Sequence, residues 1–267
     1  MIQEAILFKK TLKKKDMHST RIRKIFQNRV HYDGPAIIDA PLLLLAFTNR
    51  SGSNLLADRL CSTGHFSGLR EHLNYTNVER EKTQFGSQTF PDHIAKLHEA
   101  LAIDGATPGF KASWGQLSML LRWNIPSMFK TIRVVHIRRH DILDQAVSFS
   151  IAYQTQKWSS RQRATGTAKY NYKNIAQILN NINLANSSIS SICSIFSLQR
   201  ISVFYEDLVA QPEKEVKRIS ASLGVELTDW TPAAPKIEKQ ADDLNREFRE
   251  RFAAEYRAAF LAVDRAR

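Results

Sequence analysis

The segment Leu42–Cys61, LLLLAFTNRSGSNLLADRLC, decides the fold of this chain. Its apolar run predicts a buried strand over 42–47, and the polar residues that follow predict a tight turn. The spacing of the later leucines then predicts a helix over 53–63. A strand, a turn and a helix in this order point free backbone N–H groups at an anion such as a phosphate.

The turn adds charged and hydroxyl donors to those backbone groups. Arg50 carries a planar fork of N–H donors, and Ser51 and Ser53 carry hydroxyls near the helix start. The P-loop of nucleotide triphosphatases needs G-x-x-x-x-G-K-[ST], whereas this turn has only Gly52, with an arginine before it. An ATP-dependent kinase is therefore disfavoured. An ordinary strand-to-helix turn with a serine cap stays open as the simpler interpretation.

Length and composition indicate one globular α/β domain. The chain has 267 residues, of which 43% are hydrophobic and 24% charged. Apolar patterns predict alternating strands and helices, which imply a mostly parallel central sheet flanked by helices. We place a basic helical extension at 1–35, the α/β domain at 36–267 and an irregular substrate loop at 64–90. The further predicted strands are 110–112, 131–137 and 201–204, and the further predicted helices are 92–104, one starting near 116, 141–156, 173–197 and 212–223.

A C-terminal helix is predicted from an aromatic stripe with a period of four residues. Such a stripe is typical of a core or an interface, and a homodimer is one hypothesis for it. The stripe consists of Leu244, Phe248, Phe252, Tyr256 and Phe260.

The two cysteines and the absence of long apolar segments bear on location. Cys61 and Cys193 have no metal-ligand spacing and are interpreted as buried thiols in a reducing compartment. The chain has no 18-residue apolar run, and its first residues are a poor match to a signal peptide. We therefore expect a cytoplasmic protein.

The net charge of +12 is concentrated near the N-terminus. A solvated basic face is the simplest interpretation, and a surface for anionic membrane headgroups, at the inner face of the membrane, is the alternative. We expect no nucleic-acid partner, because no recognition motif accompanies the charge. The basic residues of 9–29 are Lys9, Lys10, Lys13, Lys14, Lys15, Arg21, Arg23, Lys24 and Arg29, against the single acid Asp16.

A second candidate anion site lies in VVHIRRHDILDQAVS, residues 134–148. A predicted strand ends at Ile137, Arg138 and Arg139 follow it, and Ser148 lies on the next predicted helix. Open α/β sheets bind their ligands at the carboxyl ends of the strands, which is where this pair of cations falls. An exposed charge pair is the simpler alternative.

These motifs together resemble bacterial sulfotransferases that use PAPS, 3′-phosphoadenosine 5′-phosphosulfate. The segment RSGSNLL is similar to the RSGSTLL loop of that class, most closely of the trehalose 2-sulfotransferase family, with Asn54 in place of threonine. The resemblance runs from about residue 42 to 255 and implies a P-loop-like sulfotransferase domain. It implies that Arg50, Ser51, Gly52, Ser53 and Asn54 bind the 5′-phosphosulfate. It also implies that Ser148 and Arg139, with Arg138 as the fallback, bind the 3′-phosphate.

The resemblance also implies a catalytic base and an acceptor site. Glu71, in SGLREHLN, aligns with the catalytic glutamate of the family, although Leu69 replaces the usual proline, and His72 is the rival base. A carboxylate can take the proton of an attacking sugar hydroxyl. GFKASWGQ, residues 109–116, resembles G-x-K-x-x-W-x-Q. The expected acceptor-site residues are Asn49, Arg70, His72, Asn74, Lys111 and Trp114.

Two weaker resemblances complete the sequence. YEDL at 205–208 is common in sulfotransferases and is interpreted as structural, and KQAD at 239–242 resembles RQAD, so that Lys239 is a further candidate cation. The resulting hypothesis is sulfonyl transfer from PAPS to a hydroxyl of a carbohydrate or glycolipid, with Glu71 and Arg50 catalytic and no metal required. The alternatives are a protein that binds PAPS without turnover, a kinase and a basic binding module.

Overall fold

A computed structural model describes residues 16–158, 162–233 and 243–262. Within these ranges five parallel strands form one sheet in the order β2–β3–β1–β4–β5. The prediction of a mostly parallel sheet is therefore confirmed. The strands are β1 Ile38–Ala46, β2 Phe66–Arg70, β3 Thr107–Ala112, β4 Phe129–Arg138 and β5 Gln199–Phe204.

Helices cover both faces of the sheet. Alternate residues of β1 point to opposite faces, as the pleat requires: Leu42 and Leu44 belong to one core cluster, and Leu43 and Leu45 to another. The described helices are α1 Met17–Ile25, α2 Ser53–Cys61, α3 Tyr75–Phe85, α4 Phe90–Leu101, α5 Trp114–Arg122, α6 Ile142–Thr155, α7 Tyr172–Ile195, α8 Tyr205–Ala210, α9 Pro212–Ser222 and α10 Asp243–Ala262, with a 3₁₀ turn at Ile125–Met128. None of them is long and apolar enough to cross a bilayer.

The interpretation of 64–90 as an irregular loop is wrong, because this segment contains β2 and α3. Strand β2 has only five residues, and its pairing with β3 shifts register between Ser67 and Arg70, so that no alternation appears in the sequence. Helix α3 buries only Val78 and Glu81, which leaves almost no apolar periodicity.

The described part of the N-terminal segment packs into the domain. Ile22, Phe26 and Val30 are fully buried in the same core cluster as Leu42 and Leu44 of β1. Helix α1 occupies Met17–Ile25 of this stretch. A boundary drawn at residue 35 nevertheless crosses a continuous core, and Lys9–Lys15 lie outside the described residues.

Helix α10 divides the predicted aromatic stripe into two parts. Phe248 and Phe252 are 3% exposed and join a third core cluster with α6 and α7. Tyr256 and Phe260, on the later turns, are 49% and 68% exposed. The stripe is therefore core in its first half and surface in its second half.

The topology gathers the ends of the inner strands at one edge. The chain first builds β2 and β3 on one side of β1, and then β4 and β5 on the other side. Ala46 of β1 pairs with Ala112 of β3 and with His136 of β4, so the turns after all three strands open at the same edge. Open α/β sheets bind ligands in the crevice where the strand order reverses, which in this sheet is beside β1.

Candidate active site

The turn after β1 has a backbone that only glycine permits at one position. Gly52 precedes α2 with a φ of 92°, and a Cβ atom there would lie 2.2 Å from the Tyr205 ring. Arg50 also has a positive φ, 64°. Gly52 supplies no side-chain cap, so the first N–H groups of α2 stay available for an anion. Tyr205, interpreted above as structural, thus forms a wall of this turn.

Several buried polar atoms around the turn make no hydrogen bond. They are Ser51 Oγ and Arg139 Nε, which are donors, and Oε1 of Gln145, whose Nε2 donates to Thr48 and Asn49 of the turn; Arg138 Nε, beside Phe204, also has no hydrogen-bond partner. A buried donor without a partner costs about 1–3 kcal/mol, so such atoms point to a missing ligand. Donors of this kind fit the phosphate groups of PAPS.

Arg50 joins the two predicted phosphate sites. Its Nε donates to Ser148 Oγ at 2.9 Å, and its Nη1 donates to the Trp158 carbonyl oxygen at 2.8 Å. Burial lowers the pKa of Arg50, and the nearby charge of Arg139 lowers it further, while Tyr205 partly offsets both. A crowded, buried positive charge of this kind favours a polyanionic ligand.

The two arginines after β4 have different surroundings. The Arg139 guanidinium lies 4.2 Å from the centre of the Tyr205 ring, beside Arg50. Arg138 lies over Phe204 at 4.8 Å, and burial, followed by the charge of Arg200, lowers its pKa. Arg139 therefore shares the cluster of Arg50 and Ser148, whereas Arg138 lies beside Phe204 and Arg200.

Lys111 connects the turn of Arg50–Asn54, named the phosphate turn after its predicted ligand, with Glu71, the predicted base. It lies on β3 with a side chain that is 3% exposed. Its Nζ donates to Asn54 Oδ1 at 2.7 Å and to Glu71 Oε1 at 3.0 Å, and it lies 4.5 Å from the centre of the Phe47 ring. Burial lowers the pKa of Lys111, and Glu71 opposes that shift.

The structure gives His72 a role inside the fold. Its Nδ1 lies 3.1 Å from Glu81 Oε1, and its Nε2 lies 3.0 Å from the Gly68 carbonyl oxygen. The side chain is 14% exposed. Both ring nitrogens are occupied, so in this arrangement neither is available to an acceptor, as base or as ligand.

The other expected acceptor residues are dispersed. Asn74 caps α3 by accepting from the Thr76 N–H, which is a structural role. Trp114 begins α5 and packs, half-buried, against the core. The side chains of Asn49 and Arg70 are exposed at the carboxyl edge of the sheet. Lys239 and the rest of KQAD lie outside the described residues.

Two residues near Glu71 were missed by the sequence interpretation. His18 Nδ1 accepts from the Tyr75 N–H at 3.2 Å, and burial lowers the pKa of His18 against the opposing charges of Asp16 and Glu71. Gln116 Nε2 donates to the Leu73 carbonyl oxygen at 2.8 Å and so ties α5 to the turn that carries Glu71. The GFKASWGQ motif could have indicated Gln116, but no local pattern marks His18, which is distant in sequence.

Metal ligands are not grouped in this region. Across the described parts of the chain, no three or more His, Cys, Asp or Glu residues lie together so that they could hold a metal ion.

Comparisons with known proteins bear on the family and the fold of this chain. The trehalose 2-sulfotransferase of Mycobacterium tuberculosis is 26% identical over 256 residues, which covers 80% of this chain and 95% of that protein. The trehalose 2-sulfotransferase of Mycolicibacterium smegmatis is 25% identical over 250 residues, covering 78% of this chain and 93% of that protein. The sulfotransferase domain from the Synechococcus PCC 7002 olefin synthase has the same fold, with a TM-score of 0.52 at 15% identity, over 84% of this chain and 98% of that one.

A match to a family model identifies the family of this chain. The model of the Stf0 sulphotransferases covers residues 115–255, more than half of the chain. It begins at the N-terminus of α5 and includes the second candidate anion site. The predicted sulfotransferase family and P-loop-like fold are both confirmed: this chain belongs to the Stf0 sulphotransferase family.

Proposed function

We propose that this protein transfers the sulfonyl group of PAPS to a hydroxyl group of a carbohydrate or glycolipid, with Glu71 as the general base. Membership of the family supports sulfonyl transfer, and the two curated relatives are named for trehalose. The observation that carries the proposal is the position of Lys111, whose Nζ contacts Asn54 of the phosphate turn and the Glu71 carboxylate. Asn54, proposed to bind the leaving phosphate, and Glu71, proposed to activate the attacking hydroxyl, thus both contact the buried Lys111.

The phosphate turn would hold the 5′-phosphosulfate. Its free backbone N–H groups at the start of α2, the buried Ser51 hydroxyl and the Arg50 guanidinium all suit an anion. Ser148 and Arg139 would hold the 3′-phosphate, which distinguishes PAPS from ordinary adenine nucleotides. Arg50, whose Nε donates to Ser148 Oγ, would then serve both phosphates.

Glu71 would accept the proton of the acceptor hydroxyl. Its side chain is 47% exposed, so an acceptor can reach the carboxylate oxygen that Lys111 does not occupy. As the acceptor oxygen bonds to sulfur, the bond from sulfur to the 5′-phosphate oxygen breaks, and the hydroxyl proton goes to Glu71. The products are a sulfate ester and 3′,5′-bisphosphoadenosine, PAP.

Lys111 and the turn would stabilise the charge that develops in this step. Fixed donors aimed at developing charge are commonly the largest catalytic contribution, because no reorganisation is needed. Lys111 Nζ, which contacts Asn54 and Glu71, would reach the transferring group between them. The proposed scheme uses no metal ion.

The nucleotide specificity tests the phosphate sites. PAP should bind about 10- to 150-fold more tightly than AMP, the value of one charged hydrogen-bonded contact of about 1.5–3 kcal/mol. Isothermal titration calorimetry of the purified protein with PAP, AMP and ATP measures this ratio. Equal affinities for PAP and AMP would contradict the 3′-phosphate assignment, and magnesium-dependent ATP binding would favour the kinase alternative.

Turnover tests the acceptor class. We would incubate the protein with [³⁵S]PAPS and a panel of sugars and glycolipids, with trehalose first because of the named relatives. Labelled product from a carbohydrate supports the proposal. Tight PAP binding without transfer to any member of the panel would favour the alternative of a PAPS-binding protein without turnover.

A further inference from the structure

A buried amide beside the phosphate turn has no part in the reaction proposed above. Gln145, on α6, is fully buried, and its Nε2 donates to Thr48 Oγ1 and to the Asn49 carbonyl oxygen, both at 2.8 Å. A carbonyl oxygen can only accept, so the amide nitrogen must be the atom that faces Asn49. The Gln145 side chain therefore supplies N–H donors to the two residues just before Arg50.

The two acceptors belong to a tight β-turn, Thr48–Ser51. The Ser51 N–H donates to the Thr48 carbonyl oxygen at 3.2 Å and closes this turn. Arg50, at the third position, has a φ of 64°, whereas Asn49, at the second position, does not have a positive φ. These two φ values are those of a type II turn, in which the third residue is usually glycine or asparagine. An arginine there is strained, because its Cβ atom is crowded in the left-handed region.

The peptide between Asn49 and Arg50 can relieve this strain by rotating. Type I and type II turns differ mainly in the orientation of that central peptide, and in type I the third residue has a φ of about −90°. The carbonyl oxygen of Asn49 moves with the peptide, and it is the atom to which Gln145 donates. The hydrogen bond from Gln145 therefore opposes the rotation and favours the positive φ of Arg50.

Helix α6 holds Arg50 at a second point. Arg50 Nε donates to Ser148 Oγ at 2.9 Å, and Ser148 follows Gln145 by three residues, so both lie on one face of the helix. This face of α6 thus contacts the backbone before Arg50 and the guanidinium at the end of its side chain. A change in φ redirects the Cα–Cβ bond, so rotation of the peptide would take the guanidinium away from Ser148.

The other half of the amide supports a specific role for this residue. Gln145 Oε1 is buried without a hydrogen-bond partner. Leaving a buried acceptor unpaired is costly, so an apolar side chain of similar length would suit a purely structural position better. What the amide offers, and an apolar side chain does not, is the pair of donors that fixes the backbone before Arg50.

From this arrangement we infer that Gln145 is a positioning residue, which keeps Arg50 in the left-handed conformation that brings its guanidinium to Ser148 and to the proposed phosphate sites. The inference rests on the proposed function for its catalytic consequence. If Arg50 leaves this conformation, its charge no longer faces the leaving phosphate, so both the affinity for PAP and the turnover fall.

Gln145→Met removes both donors and keeps the length of the side chain. It also removes the unpaired carbonyl, so the midpoint of urea unfolding should stay close to that of the wild type. Gln145→Leu is a second apolar replacement, in case the first one packs poorly. Gln177→Met is the matched control, because Gln177 is an exposed glutamine of α7 that donates to Asn181 of the same helix.

The conformation of Arg50 is measured without nucleotide. In ¹H–¹⁵N spectra the Nε–H of Arg50, assigned by its absence from Arg50→Ala, should exchange slowly with solvent in the wild type and in Gln177→Met. It should exchange about tenfold faster in Gln145→Met and Gln145→Leu, because the freed turn relaxes to the less strained type. Fast exchange in the wild type, or equal exchange rates in the wild type and a folded Gln145 variant, overturns the inference.

A double-mutant cycle on PAP affinity shows whether Gln145 acts through Arg50. By calorimetry, Gln145→Met should weaken PAP binding about tenfold in the wild-type background and less than about twofold in the Arg50→Ala background. A purely structural role predicts the same loss in both backgrounds, and that result overturns the inference.

Turnover completes the test. Gln145→Met should lower kcat and leave the KM for the acceptor unchanged, because Glu71 and Lys111 keep their contact. An unchanged kcat would overturn the catalytic consequence. If the exchange rates and the PAP cycle behave as expected while no acceptor is sulfated, the proposed function fails and the positioning role of Gln145 stands. If PAP does not bind, the proposed function fails, and the exchange rates of the Arg50 Nε–H still decide between positioning and a purely structural role.

Discussion

At the scale of single residues, Lys111 makes the two contacts that join the parts of the site, one with Asn54 and one with Glu71. Removing its charge from water is costly, and the contacts with Asn54 and Glu71 compensate for that cost. Asn54 departs from the threonine of the family loop, but its longer side chain is what reaches Lys111. The asparagine at this position therefore makes a specific hydrogen bond with Lys111.

Glu71→Gln tests the base. The change keeps the shape and removes the basicity, so turnover should fall by about 10²- to 10⁴-fold. The affinity for PAP should barely change, because the phosphate turn is intact. Steady-state kinetics with an acceptor from the panel and calorimetry with PAP measure the two effects. Glu79→Gln is the control, and near-normal turnover of Glu71→Gln would exclude Glu71 as the base.

Gly52→Ala tests the phosphate turn. A Cβ atom would meet the Tyr205 ring at 2.2 Å on a backbone with a φ of 92°. We expect a loss of PAP affinity of at least about tenfold, since such strain costs about 1–3 kcal/mol. Gly64→Ala is the matched control, because Gly64 also has a positive φ, 77°, but nothing lies within 4 Å of its Cβ position. Equal effects of the two variants on calorimetric affinity would show that the Tyr205 contact is irrelevant.

Among the elements, α1 links the N-terminal segment to the acceptor side. It contributes Ile22 to the main core and places His18 beside Tyr75 and the turn of Glu71. Its exposed face carries Arg21 and Lys24. The hypothesis of a membrane surface over residues 9–29 must therefore be tested without removing the core residues of this segment.

Two truncations separate charge from folding. Removal of residues 1–30 should unfold the domain, because the loss of Ile22, Phe26 and Val30 costs about 1.5–3 kcal/mol each against a typical total of 5–15. Removal of 1–14 takes away Lys9, Lys10, Lys13 and Lys14 and none of these three core residues. Liposomes with anionic lipid should sediment with the full chain at low salt and much less with the shorter truncation. Equal sedimentation would mean that the removed lysines are only a solvated face.

Over the whole molecule, buried neutral histidines link stability to pH. Burial lowers the pKa of His93 to about 4 and that of His136 to about 3. His136 Nε2 pairs with Asn186 Oδ1 at 3.2 Å, and its Nδ1 has no hydrogen-bond partner. The unfolded chain binds protons at these positions at higher pH than the folded chain does. The stability that these neutral histidines contribute is fully present above a pH of about 6.5, the ordinary pKa of histidine. It is lost as the pH falls towards their lowered pKa values.

His93→Gln should reduce this acid sensitivity. Between pH 7 and pH 5, His93 alone should cost the wild type about 2 kcal/mol of unfolding free energy, because one pKa unit corresponds to about 1.4 kcal/mol. The variant should lose correspondingly less between the two pH values, whatever its stability at pH 7. Urea unfolding at both values measures the difference, with the exposed His65→Gln as control. An identical pH dependence in all three proteins would refute a neutral, buried His93.

The last turns of α10 expose large apolar side chains. Tyr256, Phe260 and Leu261 are each at least 49% exposed. The homodimer suggested by the aromatic stripe stays a prediction, as does the cytoplasmic location.

The sequence by itself determined the parallel α/β fold, the phosphate turn and the family. These depend on local signals: a run of apolar residues, a glycine at a turn, and the order Arg50–Ser51–Gly52–Ser53 before a helix. Local signals failed for β2 and α3, because a bulged five-residue strand and a helix with two buried residues have no periodicity to detect.

Only the tertiary structure decided which polar residues meet. Lys111, Asn54 and Glu71 come from three separate segments and touch because parallel strands end at one edge of the sheet. The same holds for Arg50 with Ser148, which the sequence assigned to different phosphates. His72 shows the reverse case: beside Glu71 in sequence, it turns inward because a buried carboxylate on α3 requires a partner. Adjacency along a chain fixes neither the direction of a side chain nor its partner, since both depend on what the fold packs against it.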